Sequence, residues 1–277
     1  MGKVLLIDST GDVVRLLATQ WAITEHHIDH CGGGIEALQW IRSHPPDVVV
    51  TDPAMPMAEG LALIKEFSSV RPGARMIVLA PATTPEELIT AAREDVFACF
   101  AAPFRADDVA YMIRLAIRAP DWRNGIEVIS GLPSWFTMRV SCQLLTVERL
   151  VQFMTEYQSS LPDRERDLLI AAFREMLLNA MEHGAGFDPE KTIEVTAAKT
   201  ARAIVYHFRD PGNGFDRSDL AHAARSDNAD DVLAAARERA ERGLRPGGFG
   251  MLIVQKIADE LVYNERGNEV LMIKHLQ

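Results

Sequence analysis

The sequence predicts two domains: an α/β domain with a doubly wound parallel sheet over residues 1–120, and an α+β sandwich over residues 121–277. Three observations predict this. Short apolar runs alternate with helix-periodic segments through the first 120 residues. APDWRNG at 119–125 then combines Pro, Asn and Gly after a helical segment and reads as a linker. Beyond it, two helical segments precede strands that come in adjacent pairs, which fits helices packed on a mostly antiparallel sheet.

In the first domain, KVLLID (3–8), DVVVTD (47–52), RMIVLA (75–80) and VFACFA (96–101) are apolar on both faces, as in a parallel sheet covered on both sides. Helical spacing runs over about 12–20, 34–43, 58–70, 85–93 and 106–118. Sites in such sheets lie beyond the carboxyl ends of the strands. Asp8 and Asp52 each end a strand, so they are expected to meet there.

In the second domain, WFTMRVSC (135–142) reads as a strand. Residues 144–159 have helical spacing, with Leu144, Val147, Leu150, Val151, Met154 and Tyr157 apolar. Pro162 and Asp163 open a second helix over 163–183, and Gly184 and Gly186 close it. Strands follow near 191–198 and 202–209. A final pair near 261–265 and 269–275 is joined by Arg266-Gly267-Asn268.

The 277 residues suit two domains, and 48% apolar with 25% charged residues is the balance of a soluble globular chain. No apolar run approaches the ~20 residues that span a bilayer. MGKVLLID reaches an acid too soon for a secretory signal, and Leu6 argues against myristoylation of Gly2. Net charge is −10, and acidic residues outnumber basic ones on both sides of residue 120. Direct nucleic-acid binding is therefore disfavoured. Cys31, Cys99 and Cys142 lie far apart in no metal-ligand spacing. They read as reduced thiols of a cytoplasmic protein.

LLIDS at 5–9, DVVVTDPAMPMAEG at 47–60 and APF at 102–104 resemble the response-regulator receiver domain. The resemblance implies five strands, Asp52 as acceptor of a phosphoryl group from an upstream histidine kinase, and Asp8 and Asp52 as Mg²⁺ ligands. Four positions depart from the family's pattern. Ser9 replaces a second acid, Ala80 a Ser or Thr, Ala102 a Lys, and Cys99 an aromatic residue. Losing a carboxylate weakens a hard-cation site. Three readings of Asp52 stay open: an acid in an unrelated fold, a phosphorylated switch, and a receiver used mainly for protein contact.

REMLLNAMEHG at 174–184 places Glu175, Asn179 and His183 at every fourth position, within about 80° on a helix. Phe173, Leu177, Ala180 and Met181 form the opposite face. Alone, this is an amphipathic helix with a solvated side. Two later stretches change that reading. RDPGNGFD at 209–216 puts Asp210 at a strand end before Gly212 and Gly214. RPGGFGMLIVQKIADEL at 245–261 places Gly247, Gly248 and Gly250 before a helix, where free backbone N–H groups bind phosphate.

Together and in this order the three resemble the nucleotide-binding domain of the GHKL ATPases, over about 126–277. The resemblance implies ATP and Mg²⁺ as ligands. Asn179 would hold Mg²⁺, and Asp210 would accept from the adenine amino group. Gly212 and Gly214 would make room for the base, and Gly248, Phe249 and Gly250 would contact the phosphates. Residues 217–246, with Arg237, Arg239, Arg242 and Arg245, would form the ATP lid or a solvated helix.

No histidine lies between His44 and His183, so the 144–159 helix cannot accept a phosphoryl group as in a histidine kinase. EMLLNAMEHG and the ending GFGMLIVQKIADELVYNERGNEVLMIK resemble the anti-sigma-factor serine kinases. That resemblance implies a serine/threonine kinase with Glu175 as general base. It implies a sigma factor or an antagonist protein as partner, and homodimerisation. Two alternatives stay open: a non-catalytic, ATP-dependent sequestering protein, and a kinase acting on a histidine of a separate phosphotransfer protein.

Overall fold

The computed structural model describes residues 2–21, 26–119, 125–214 and 249–276. The chain divides into two compact units, Met1–Asn124 with Glu148–Gln158, and Gly125–Val147 with Ser159–Gln277.

The first unit alternates strand and helix: β1 (Lys3–Ile7), α1 (Asp12–Trp21), β2 (His27–Cys31), α2 (Gly34–Ser43), β3 (Val48–Val50), α3 (Met57–Val70), β4 (Arg75–Ala80), α4 (Pro85–Arg93), β5 (Ala98–Ala101) and α5 (Ala106–Arg118). The sheet is wholly parallel in the order β2-β1-β3-β4-β5. Val48, Val49 and Val50 are fully buried, as are Val4, Leu5, Ile77 and Val78. Burial on both faces is why these strands read as unbroken apolar runs. β2, HIDHC, is an edge strand with one buried residue in five, and the apolar-run signal misses it.

β5 is the other edge. Its outward backbone groups are met by side chains of the helix α6 (Leu144–Tyr157), which groups with this unit from Glu148 onward. Arg149 donates to the carbonyls of Phe97 and Val96 at 3.1 and 3.3 Å, with its guanidinium 5.0 Å above the Phe97 ring. Gln152 bonds both the N–H and the carbonyl of Cys99, and Glu156 accepts from the Ala101 N–H. An exposed strand edge invites foreign pairing, and these side chains occupy it.

The second unit contains β6 (Ile126–Leu132), β7 (Trp135–Ser141), α7 (Asp163–Asn179), β8 (Thr192–Lys199), β9 (Ala203–Arg209), α8 (Phe249–Ile257), β10 (Glu260–Tyr263) and β11 (Glu269–His275). The sheet is antiparallel in the order β10-β11-β9-β8-β7-β6. Its inner face carries Phe136, Met138, Ile193, Val195, Tyr206 and Phe208, all buried. Phe173 of α7 packs edge-on to Tyr206 and tilted to Phe208, at 5.0 and 5.3 Å. This aromatic cluster fixes α7 on the sheet. β6, an edge strand with a register shift between Val128 and Ser130, was not anticipated from sequence.

α7 does not run unbroken to residue 183. At Ala180 the helix widens into a π-helical turn, Ala180–Ala185, closed by Gly186 in the left-handed conformation at φ 66°. Such turns insert a residue and re-aim the side chains beyond it. Residues 120–124 of the expected linker, the expected lid at 217–246, and Gly247 and Gly248 lie outside the described residues. Cys31, Cys99 and Cys142 are free and buried. No helix among the described residues is long and apolar enough to cross a membrane.

Candidate functional site

The acid pair of the first unit lies where the strand order reverses, between β1 and β3. Asp8 and Asp52 are 1% and 5% exposed. Asp8 spends both oxygens on the start of α1. Oδ1 accepts from Gly11 N–H and the Thr10 hydroxyl at 2.9 and 3.2 Å, and Oδ2 accepts from Val14 N–H at 2.9 Å. Asp52 accepts from Ser9 N–H on Oδ2 and from Ala54 N–H on Oδ1, both at 2.8 Å. Burial pushes the Asp52 carboxyl up, but hydrogen bonds from Ser9 and Ala54 outweigh it and hold the group below the ordinary aspartate range.

Both acids end strands at this edge, and each accepts from backbone N–H groups of the loops that follow. Among the described residues no three His, Cys, Asp or Glu side chains converge to hold a metal ion. Ala80 ends β4 fully buried, Cys99 lies on β5, and Ala102 precedes Pro103. None supplies a charge or hydroxyl at those positions.

In the second unit α7 and α8 face each other. A Cβ built on Gly250 would stand 2.1 Å from Glu175 Oε2, so the absence of a side chain at 250 is what admits the Glu175 carboxylate. One turn on, Asn179 Nδ2 lies 3.9 Å from Met251 Sδ. Glu175 and Asn179 are half-buried and His183 is exposed. The π-helical turn takes His183 off the straight stripe and turns its neighbour Gly184 toward Asp210. A Cβ on Gly184 would fall 2.2 Å from Asp210 Cγ.

Asp210 follows β9. Its Oδ1 accepts from Gly212 N–H at 2.8 Å. A Cβ on Gly212 would meet Asp210 Oδ1 at 2.8 Å, and Gly214, at φ 79°, would place one 1.7 Å from the Arg266 carbonyl oxygen. Burial raises the Asp210 carboxyl above the ordinary range, against the Gly212 hydrogen bond and the nearby Arg266 and His183 charges. The β10–β11 turn forms the other wall of this loop. Arg266 Nη2 donates to Asn213 Oδ1 at 3.3 Å, and Asn268 Nδ2 donates to the Asp210 carbonyl at 3.1 Å.

The structure therefore gathers Glu175, Asn179 and Gly250 at one place, and Asp210, Gly212 and Gly214 at another. Phe249 opens α8, while Gly248 lies outside the described residues. The sequence marks Gly184 only as a helix end and Arg266 and Asn268 only as a turn, and does not mark Asn264; the structure sets them around the Asp210 loop. The Glu–Asn–His spacing pointed near Gly184, but nothing local marks the turn residues as neighbours of Asp210.

Two family models match the chain, "Response regulator receiver domain" over 4–114 and "Histidine kinase-like ATPase domain" over 140–274. The chain joins a receiver domain to a histidine kinase-like ATPase domain. The pairing supports two-component-type signalling, ATP binding by the second domain, and protein interactions within a signalling pathway. The anti-sigma-factor subtype is not distinguished by these matches.

Among curated proteins, the chain is similar to the regulatory protein AtoC of Escherichia coli (strain K12), 25% identical over 127 residues, covering 46% of this chain and 28% of that protein. It is also similar to the DNA-binding transcriptional regulator NtrC of Azospirillum brasilense, 24% identical over 116 residues, covering 42% of this chain and 24% of that protein. The chain thus spans about a quarter of the length of these relatives. Among solved structures, the receiver domain of Francisella response regulator 1452 matches at 22% identity and a TM-score of 0.39, over 43% of this chain and 98% of that one. A response-regulator receiver domain protein from Clostridium thermocellum matches at 24% and 0.38, over 43% and 95%.

Proposed function

We propose that the receiver domain regulates an ATP-dependent serine/threonine protein kinase domain of the anti-sigma-factor type, acting on a small antagonist protein or a sigma factor. The observation that carries this reading is the Glu175 carboxylate set against the opening of α8, with Asn179 one turn along. The chemistry of the residues fits Mg·ATP: the Asn179 amide oxygen suits a hard cation, and the glycines at 184, 212 and 214 let the backbone close tightly around Asp210.

Bound Mg·ATP supplies the transferable phosphoryl group and neutralises its charge. Asp210 accepts from the amino group of the base, with Oδ1 steadied by Gly212 N–H. Asn179 supplies an oxygen to the metal. Glu175 takes the proton of the partner's hydroxyl, as a general base within the site. Asp52 is a poor phosphoacceptor, since its oxygens are engaged and Ala80 and Ala102 offer no support. The receiver then acts mainly by protein contact.

The test is transfer of labelled γ-phosphate from ATP to a Ser or Thr of the partner, in wild type and Glu175→Gln. Transfer lost in the variant with ATP binding retained supports the reading. ATP binding without transfer in wild type assigns the chain to sequestration instead, and an acid-labile product assigns it to a histidine target.

A further inference from the structure

β9 and β11 pair in register up to Arg209 opposite Glu269. The next pair outward is Asp210 and Asn268, at the mouth of the candidate base site. Asp210 N–H donates to the Asn268 carbonyl at 3.0 Å, as an antiparallel rung requires. The reciprocal bond does not come from the Asn268 backbone, whose N–H is spent on Asn264 Oδ1 at 3.1 Å. The Asn268 side chain supplies it instead, with Nδ2 donating to the Asp210 carbonyl at 3.1 Å. Asn268 is 8% exposed, so water does not compete well for this bond.

The orientation of that carboxamide is itself fixed. Asn264 Nδ2 donates to Asn268 Oδ1 at 2.9 Å, which leaves Asn268 Nδ2 facing Asp210. Asn264 Oδ1 meanwhile accepts from the N–H groups of Gly267 and Glu269 at 2.8 and 3.2 Å. One asparagine closes the turn, and the other ties the turn to the aspartate.

We propose that Asn268, oriented by Asn264, is a positioning residue for base recognition: its side chain replaces a missing ladder rung and fixes the backbone of Asp210, and with it the carboxylate that reads the amino group of adenine. This rests on the nucleotide-binding reading above. Gly212 N–H sets one carboxylate oxygen and the rung sets the main chain, so the two together leave the group one direction in which to point.

The test is calorimetric titration of the full chain with Mg·ATP and with Mg·ITP, whose base carries an oxo group where adenine carries the amino group. Wild type prefers ATP. Asn268→Leu keeps the volume and removes the amide, and it lowers ATP affinity about tenfold, the loss expected for a buried hydrogen bond. ITP affinity changes little, so the preference collapses. Asn264→Asp is the gentler variant, retaining the acceptor for the turn's N–H groups. It offers Asn268 only acceptors, so that carboxamide turns over, presents oxygen to the Asp210 carbonyl, and the preference collapses again.

Adding Asp210→Asn to either variant costs no further discrimination if both act through Asp210. A merely structural role would lower the unfolding midpoint and leave the ATP:ITP ratio intact. An intact ratio in Asn264→Asp, beside a collapsed one in Asp210→Asn, overturns the positioning role and leaves nucleotide binding standing. A wild type that binds neither nucleotide, or an Asp210→Asn that keeps the ratio, overturns the nucleotide reading and this inference together.

Discussion

The carboxylate of Glu175 occupies the space that a side chain at position 250 would fill, with a Cβ on Gly250 standing 2.1 Å from Oε2. The obstructing atom is the far end of a flexible side chain, so Gly250→Ala is relieved by swinging Glu175 aside. Alanine also favours a helix over glycine, by about 1 kcal/mol in an interior and less in a first turn such as this one. The unfolding midpoint should therefore stay at or above that of wild type. Phosphotransfer should fall about 100-fold, the effect of a misplacement near 1 Å. Transfer at the wild-type rate in Gly250→Ala would remove Glu175 from the proposed role of base.

Asp210→Asn separates stability from binding. Burial raises the Asp210 carboxyl, so its ionised form is disfavoured in the folded chain. Its protonation stabilises the fold below the unfolded value, and that contribution is lost as pH rises through the raised folded value. The neutral variant escapes this, and its oxygen still accepts from Gly212 N–H. Thermal unfolding at neutral pH should show a midpoint no lower than wild type, and the advantage should vanish in acid. Calorimetry should show ATP affinity lowered to about that of ITP, so that the preference for adenine is lost. In wild type, ATP affinity should begin to fall above the ordinary aspartate value of about 3.9 as the solution is acidified.

How much of this was legible in the sequence depends on burial. β1, β3, β4 and β5 announce themselves because helices cover both faces. β2 and β6 are edge strands with few buried residues, and their composition carries no apolar run. Glu175 and Asn179 were legible because helical periodicity places them on one face. Gly250 beside Glu175, and Asn268 beside Asp210, were not: each contact joins residues more than fifty positions apart, and asparagines between two strands read only as a turn. The π-helical turn was hidden because its residues, AMEHGA, suit an ordinary helix end.

Asp52→Asn should destabilise the receiver unit by about 1–2 kcal/mol. Both carboxylate oxygens accept backbone N–H groups, and an amide nitrogen in place of either sets donor against donor. The folded value of Asp52 lies below the ordinary range, so the ionised group stabilises the unit above the unfolded value. That contribution is lost as pH falls through the lowered folded value. Denaturant unfolding should show the gap between variant and wild type at pH 7 and its closure in acid. Acetyl phosphate should label wild type well below one phosphoryl group per chain; stoichiometric labelling would return Asp52 to the role of switch.

Arg149 offers the sharpest test of the helix that covers β5. It is 6% exposed, and burial lowers its guanidinium to about 10. A charge taken that far out of water is tolerated only with partners, and its fork serves the carbonyls of Val96 and Phe97 together. Truncation to alanine removes both hydrogen bonds and the packing over the Phe97 ring, a loss of about 2–4 kcal/mol. Lysine keeps the charge but not the fork, so Arg149→Lys should fall between wild type and Arg149→Ala. Hydrogen exchange should localise the effect: the N–H groups of Cys99 and Ala101 donate to Gln152 and Glu156 of the same helix, and both should exchange faster when Arg149 is removed. Unchanged protection at those two amides would mean that the helix holds β5 without Arg149.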